Sequence, residues 1–144
     1  MQGIELISGV LVFLPVLVAG MVAHELVHAL VLHAFGIPYD IEWFPQSDHT
    51  TVLNVGVFSA WATVTPRSIP RSVPSWGLQL SAIAPVVLAA PFALVLVGIV
   101  PDPIDGGSAL HAAVTVAWLG CALPSPQDFS LFFHADRVLD KRGE

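Results

Sequence analysis

The stretch IELISGVLVFLPVLVAGMVAHELVHALVLHAF, Ile4 to Phe35, decides how this chain is read. It is apolar along most of its length and is interrupted by Pro15 and by one polar cluster, His24, Glu25 and His28. A transmembrane helix needs roughly 20 apolar residues, so the run is long enough to cross a bilayer with tilt. No Lys or Arg precedes it and it carries the polar cluster, so it is expected to be a permanent span and not a cleaved signal peptide. Gly36 followed by Pro38 marks its stop.

Within that span, His24 and His28 are four residues apart. On a helix four residues turn through about 400°, so both rings project from one face, one turn apart. Two imidazoles so placed can bind one zinc ion, with Glu25 beside the metal and free of any need to ligate it. There Glu25 can take a proton from water that the metal activates, the role of the glutamate in an H-E-x-x-H metalloprotease. With six His in 144 residues, chance produces this pattern on the order of 0.01 times in such a composition. An ionisable side chain at the middle of a membrane costs roughly 2.5–3.5 kcal/mol on the more lenient insertion scale. Three polar residues on one turn of an apolar helix therefore point to a metal site.

Composition agrees with a membrane setting. Hydrophobic residues make up 55% of the chain and charged residues 11%, and mean hydropathy is +0.77. Soluble domains carry roughly 25% charged residues, so this chain lacks the charge to coat a water-facing surface. The net charge of -6 with a single Lys excludes nucleic acid as a partner; the acid excess also hints at a salt-adapted source. The lone Cys121 excludes an intrachain disulfide and a Cys-rich metal site.

The remaining chain reads as two further spans and a small β insertion. Residues 39–65 alternate polar and apolar side chains or are rich in Val, Thr and aromatics, and predict two or three short strands in a hairpin or small sheet. Residues 78–100 hold no charge and include Ala84-Pro85 and Ala90-Pro91; prolines are tolerated in spans where neighbours satisfy the freed carbonyls. Residues 101–107 form a turn, residues 108–123 a third, shorter span, and Pro124-Ser125-Pro126 a break before a short amphipathic C-terminal helix. The expectation is one domain over residues 1–144: an all-α membrane protein with about three transmembrane helices, at 4–35, 78–100 and 108–123, plus the β insertion and the C-terminal helix. All five basic residues, Arg67, Arg71, Arg137, Lys141 and Arg142, fall in the 36–75 loop or the C-terminal segment. The positive-inside rule makes both cytoplasmic in a multi-pass protein of the cell membrane. Trp43, Trp61 and Trp76 read as interfacial anchors, and Arg137, Lys141 and Arg142 as an anchor to anionic lipid.

Catalytic zinc keeps three protein ligands and an open position. The candidates for the third are Asp105, Asp128, His111, His134, Asp136, His33 and His49. The two histidines lie 7 to 11 residues from Phe35, roughly 10–17 Å deep at 1.5 Å per residue. Asp105 opens the third span from the opposite face and would have to reach across half of a core about 30 Å thick. Asp128 follows the cytoplasmic end of that span, and the break at 124–126 can turn it inward. Depth favours Asp128.

His24-Glu25-Leu26-Val27-His28 on a membrane helix resembles the intramembrane zinc metalloproteases related to site-2 protease. It is closer still to small zincin-type membrane peptidases of bacteria and archaea that keep a reduced version of that core. The likeness extends in order through a short β segment, a hydrophobic helix with Ala84-Pro85, and a later Asp. The resemblance implies a Zn²⁺-dependent endopeptidase acting on peptides or membrane proteins, with His24, His28 and Asp128 on the metal and Glu25 as general base. Site-2 proteases carry their third ligand in an L-D-G motif, which Ile104-Asp105-Gly106 imitates, and on that pattern Asp105 would be the ligand. The 39–65 segment would either pair with an extended substrate strand or cap the site. From other classes, a membrane metal-binding or transport protein and an inactive adaptor remain as alternatives.

Overall fold

A computed structural model describes residues 2–43, 62–105 and 108–140. Residues 44–61 of the expected β insertion, with the candidate ligand His49 and the anchor Trp61, lie outside the described residues, as do Lys141, Arg142, Gly106 and Gly107. The elements run α1 (Gln2–Ala34), β1 (Tyr39–Trp43), β2 (Ala62–Pro66), α2 (Ser75–Ile83), a 3-10 stretch (Ala84–Ala89), α3 (Ala90–Leu96), α4 (Ala109–Cys121) and α5 (Pro126–Asp140).

Among the described residues, three helical stretches are long and apolar enough to cross a membrane: Gly3–Ala34, Ser75–Leu96 and Ala109–Asp140. Only 17% of the most apolar window of the first is buried, and Ile4, Leu6, Ile7, Leu11 and Leu14 are exposed. So much bare apolar surface suits lipid and not water. The second stretch begins three residues earlier than the expected span and stops short of residue 100, because α3 ends in a glycine-dependent cap. Gly98 adopts φ 74°, its N–H reaches Val95 O, and Ile99 N–H reaches Leu94 O, the paired bonds of a Schellman motif. α1 ends the same way: Gly36 at φ 65° donates to His33 O and Ile37 to Leu32 O. The third stretch differs more from its expected bounds. α4 has 13 residues, about 20 Å at 1.5 Å per residue, and the apolar length reaches bilayer thickness only when α5 is counted with it.

The chain divides into two compact units, Met1–His24 with Val86–Leu123, and Glu25–Pro85 with Pro124–Glu144. In the first unit, small residues permit close approach. A Cβ built on Gly20 would stand 2.7 Å from Cys121 Sγ and 2.9 Å from its Cβ, and one on Gly9 would stand 3.3 Å from Ala109 O. The Cys121 thiol donates to Leu17 O at 3.4 Å, and Trp118 Nε1–H donates to Leu88 O at 2.9 Å.

In the second unit, Leu32, Ile37, Val73, Leu78 and Ala135 form a buried cluster, with Phe35, Tyr39, Val64 and Leu131 packed on it. The Phe35 and Trp76 rings meet edge to face at 5.0 Å, and Gln79 Nε2–H donates to Phe132 O at 3.3 Å, tying α2 to α5. β1 and β2 pair antiparallel with Ile41 opposite Val64, a two-stranded sheet where two or three short strands were expected. The Arg67 guanidinium donates two bonds to the Asp40 carboxylate across the pair.

Two outcomes test this packing. Gly20→Ala should lower thermal stability in detergent by about 1–3 kcal/mol through overpacking, while Gly3→Ala, whose Cβ meets nothing within 4 Å, should be neutral or mildly stabilising. The hydrogen-bonded Arg67 guanidinium holds the Asp40 carboxyl below its ordinary value. The sheet is therefore supported fully above the unfolded carboxyl range, and that support is lost as pH falls through the depressed folded value. Amide exchange of β1 should quicken on acidification in wild type and show less of this pH response in Asp40→Asn.

Candidate metal centre

α1 supplies the first two donors. His24 and His28 are buried, at 6% and 8% exposure, on a helix that otherwise shows much of its surface. Each ring is held from its far side by a backbone carbonyl. His24 Nδ1–H donates to Cys121 O at 2.7 Å, and His28 Nδ1–H donates to Ser81 O at 2.8 Å. A carbonyl oxygen only accepts, so the proton sits on Nδ1 in both rings, and a neutral ring then carries its lone pair on Nε2. This is the arrangement that orients metal-ligating histidines and raises their basicity. Cys121 can spare its carbonyl because it is the last residue of α4, where helix carbonyls lack intrahelical partners.

Asp128 comes from the first turn of α5. Ser125 and Asp128 form a reciprocal cap: the Asp128 N–H donates to Ser125 Oγ at 3.2 Å, and the Ser125 N–H donates to Asp128 Oδ2 at 2.6 Å. Pro126 occupies the first helical position, where a missing N–H costs nothing. One carboxylate oxygen is thereby fixed to the backbone, and the other, Oδ1, lies 3.2 Å from His28 Nε2.

Among the described residues, one group of His, Cys, Asp or Glu can hold a metal ion: His24, His28 and Asp128, whose ligand atoms all lie within 4.8 Å of one another. Nitrogen and oxygen donors about 2.1 Å from a tetrahedral ion stand about 3.4 Å apart, which the His28–Asp128 separation already matches. The donor chemistry fits as well, since two neutral imidazoles and one carboxylate supply lone pairs and a compensating charge.

Glu25 belongs to the same turn and not to the donor group. Its Oε2 accepts the Val64 N–H at 3.1 Å. The register explains that bond. Arg67 N–H donates across to Pro38 O, so alternation along β2 turns the Val64 N–H outward, away from β1. A cavity of about 70 Å³ opens here, with Glu25, His28, Ser125 and Asp128 as polar walls and Leu32, Leu78 and Leu131 as apolar ones. That is room for a few waters, since one needs roughly 10–15 Å³.

The other sequence candidates lie elsewhere. Asp105 is exposed in the turn after α3, where Asp102 Oδ1 accepts the Ile104 N–H at 2.8 Å and Asp102 O accepts the Asp105 N–H. His33, His111, His134 and Asp136 are exposed, and none joins a group of metal donors among the described residues. Sequence reasoning missed Ser125, Val64 and the two carbonyls. Ser125 had a legible signal, since Ser-Pro-Gln-Asp carries the spacing of a capping box with Pro at its first helical position. Backbone acceptors leave no mark on residue identity.

No family model matches the chain, and neither a curated protein nor a solved structure matches it.

Single replacements of His24, His28 or Asp128 by Ala should each remove bound metal, measured by elemental analysis of protein purified in detergent, while Asp105→Ala retains it. Asp128→Ala should also cost about 1 kcal/mol of stability through the lost cap. Metal retained in His24→Ala would refute the assignment.

Proposed function

We propose that the chain is a membrane-embedded zinc metalloendopeptidase, of the kind related to site-2 protease, that hydrolyses peptide bonds of membrane or membrane-proximal substrates. The observation that carries this reading is the place of Glu25: a carboxylate on the wall of the donor cavity, one residue from His24, yet outside the donor group. A site built only to store or pass a metal has no need of a second carboxylate kept off the ion.

His24, His28 and Asp128 would hold Zn²⁺, a donor set of two imidazoles and a carboxylate that catalytic zinc uses. Bound there, zinc would supply Lewis acidity, polarising the scissile carbonyl and lowering the pKa of water toward 7. The chain's own groups do the rest. The carbonyls of Cys121 and Ser81 keep both imidazoles in the Nδ1–H form, so neither ring offers a competing proton at the site. Glu25 takes a proton from the attacking water as the new C–O bond forms, then delivers it to the departing nitrogen as the C–N bond breaks. The Val64 N–H restrains the rotation of that carboxylate. One water is consumed for each peptide bond cleaved.

The orientation follows from the basic residues. The 36–75 loop and the C-terminal segment face the cytoplasm in a multi-pass protein of the cell membrane. The cavity residues Val64, Ser125 and Asp128 come from those segments, so hydrolysis takes place near the cytoplasmic membrane face. A metal carrier or an inactive adaptor is the competing reading; a carrier is disfavoured by the absence of any charged residue from Ser75 to Leu96.

Glu25→Gln separates these readings. In detergent with a membrane-derived peptide, the variant should keep its zinc and lose about 10²–10⁴-fold in cleavage rate, the contribution of a positioned general base. Equal cleavage by wild type and variant, or zinc binding by wild type with no cleavage, would sink the peptidase reading.

A further inference from the structure

We infer that Pro85 is a positioning residue for the metal centre: because it has no N–H, it leaves the Ser81 carbonyl to the His28 imidazole. This rests on the reading of His28 as a metal ligand.

In an α-helix the carbonyl of residue 81 accepts the N–H of residue 85. Residue 85 is proline, which has no N–H to give. α2 accordingly ends at Ile83 and the chain tightens into a 3-10 stretch over Ala84–Ala89. The Ala84 N–H takes one position on Ser81 O through a bond of the shorter, i+3 type. His28 Nδ1–H takes another at 2.8 Å. A carbonyl oxygen has two lone pairs, and both are now used. Pro85 is fully buried and Ser81 is 3% exposed.

An amide at position 85 would bring a third donor to an oxygen with two lone pairs. The Ala84 and residue 85 amides are held in place by the chain, whereas His28 reaches Ser81 O at the end of a rotatable side chain from another helix. The histidine bond is the one that gives way. The imidazole then loses the partner that keeps its proton on Nδ1. In the other tautomer Nε2 carries the proton and offers no lone pair to a metal. Loss of such a supporting bond typically lowers metal affinity 10- to 100-fold. The competing view is that Pro85 only fills space between elements, since its side chain is fully buried.

Two replacements separate these views. Pro85→Ala introduces an N–H together with a smaller side chain. Lactic acid placed at position 85 by nonsense suppression has the same methyl side chain but an ester oxygen in place of the N–H. The ester alters the carbonyl of residue 84 and leaves that of Ser81 untouched. The full-length protein in detergent is titrated with Zn²⁺ against a chelator, and the tautomer of His28 is read from ¹⁵N chemical shifts of labelled histidine in metal-free protein. Pro85→Ala should bind zinc 10- to 100-fold more weakly and shift His28 away from the Nδ1–H form, while the ester variant stays within about threefold of wild type. Equal weakening in both variants would assign Pro85 to packing and overturn the proposal, as would no change in either. If wild type binds no zinc, the metal reading falls, and the tautomer comparison still decides what Pro85 does to His28.

Discussion

The site depends on two helix carbonyls that each have a lone pair left for an imidazole N–H from α1. Ser81 lacks its usual donor because proline occupies position 85, and Cys121 lacks one because α4 ends with it. An unsatisfied carbonyl in a hydrocarbon setting costs several kcal/mol, and so does an unsatisfied imidazole N–H. Each pairing satisfies the imidazole N–H, and at Cys121 it satisfies the helix-end carbonyl as well. His28 docks on Ser81 within the second unit and His24 on Cys121 within the first. The same two bonds choose the tautomer. The arrangement that makes a polar pair tolerable in an apolar helix is therefore also the one that turns lone pairs toward a metal.

Asp128 shows a similar double use of one group. Its carboxylate closes the N-terminal cap of α5 through one oxygen and faces His28 through the other. A free aspartate on a mobile loop would lose rotamer freedom on binding an ion. Here the cap has already removed that freedom as part of folding the helix. Glu25 receives a weaker version of the same treatment from the Val64 amide, which antiparallel alternation turns out of its own sheet.

Much of this was legible in residue order. The apolar run at 4–35, the pair His24 and His28 with Glu25 between them, the stop at Gly36 and the alternating strand at residues 39–43 are local patterns, and local patterns survive without knowledge of the fold. The preference for Asp128 over Asp105 came from depth alone; among the described residues Asp128 stands with His24 and His28 in a group that could hold a metal ion. The bounds of the later spans were less legible. Proline and the 13-residue length of α4 redistribute helical residues in ways that hydropathy by itself does not register. Ser125 could have been found from its capping-box spacing.

The sequence by itself determined that this chain carries an apolar helix with two imidazoles on one face and a carboxylate beside them, because helix periodicity converts a spacing of four into a shared direction. Only the tertiary structure decided which aspartate joins them, which carbonyls hold their rings and which amide meets Glu25. The backbone partners of Glu25, His28 and His24 lie 39, 53 and 97 residues away, and backbone groups are alike in every residue but proline. A backbone oxygen becomes a specific partner only when the fold leaves it a lone pair to share.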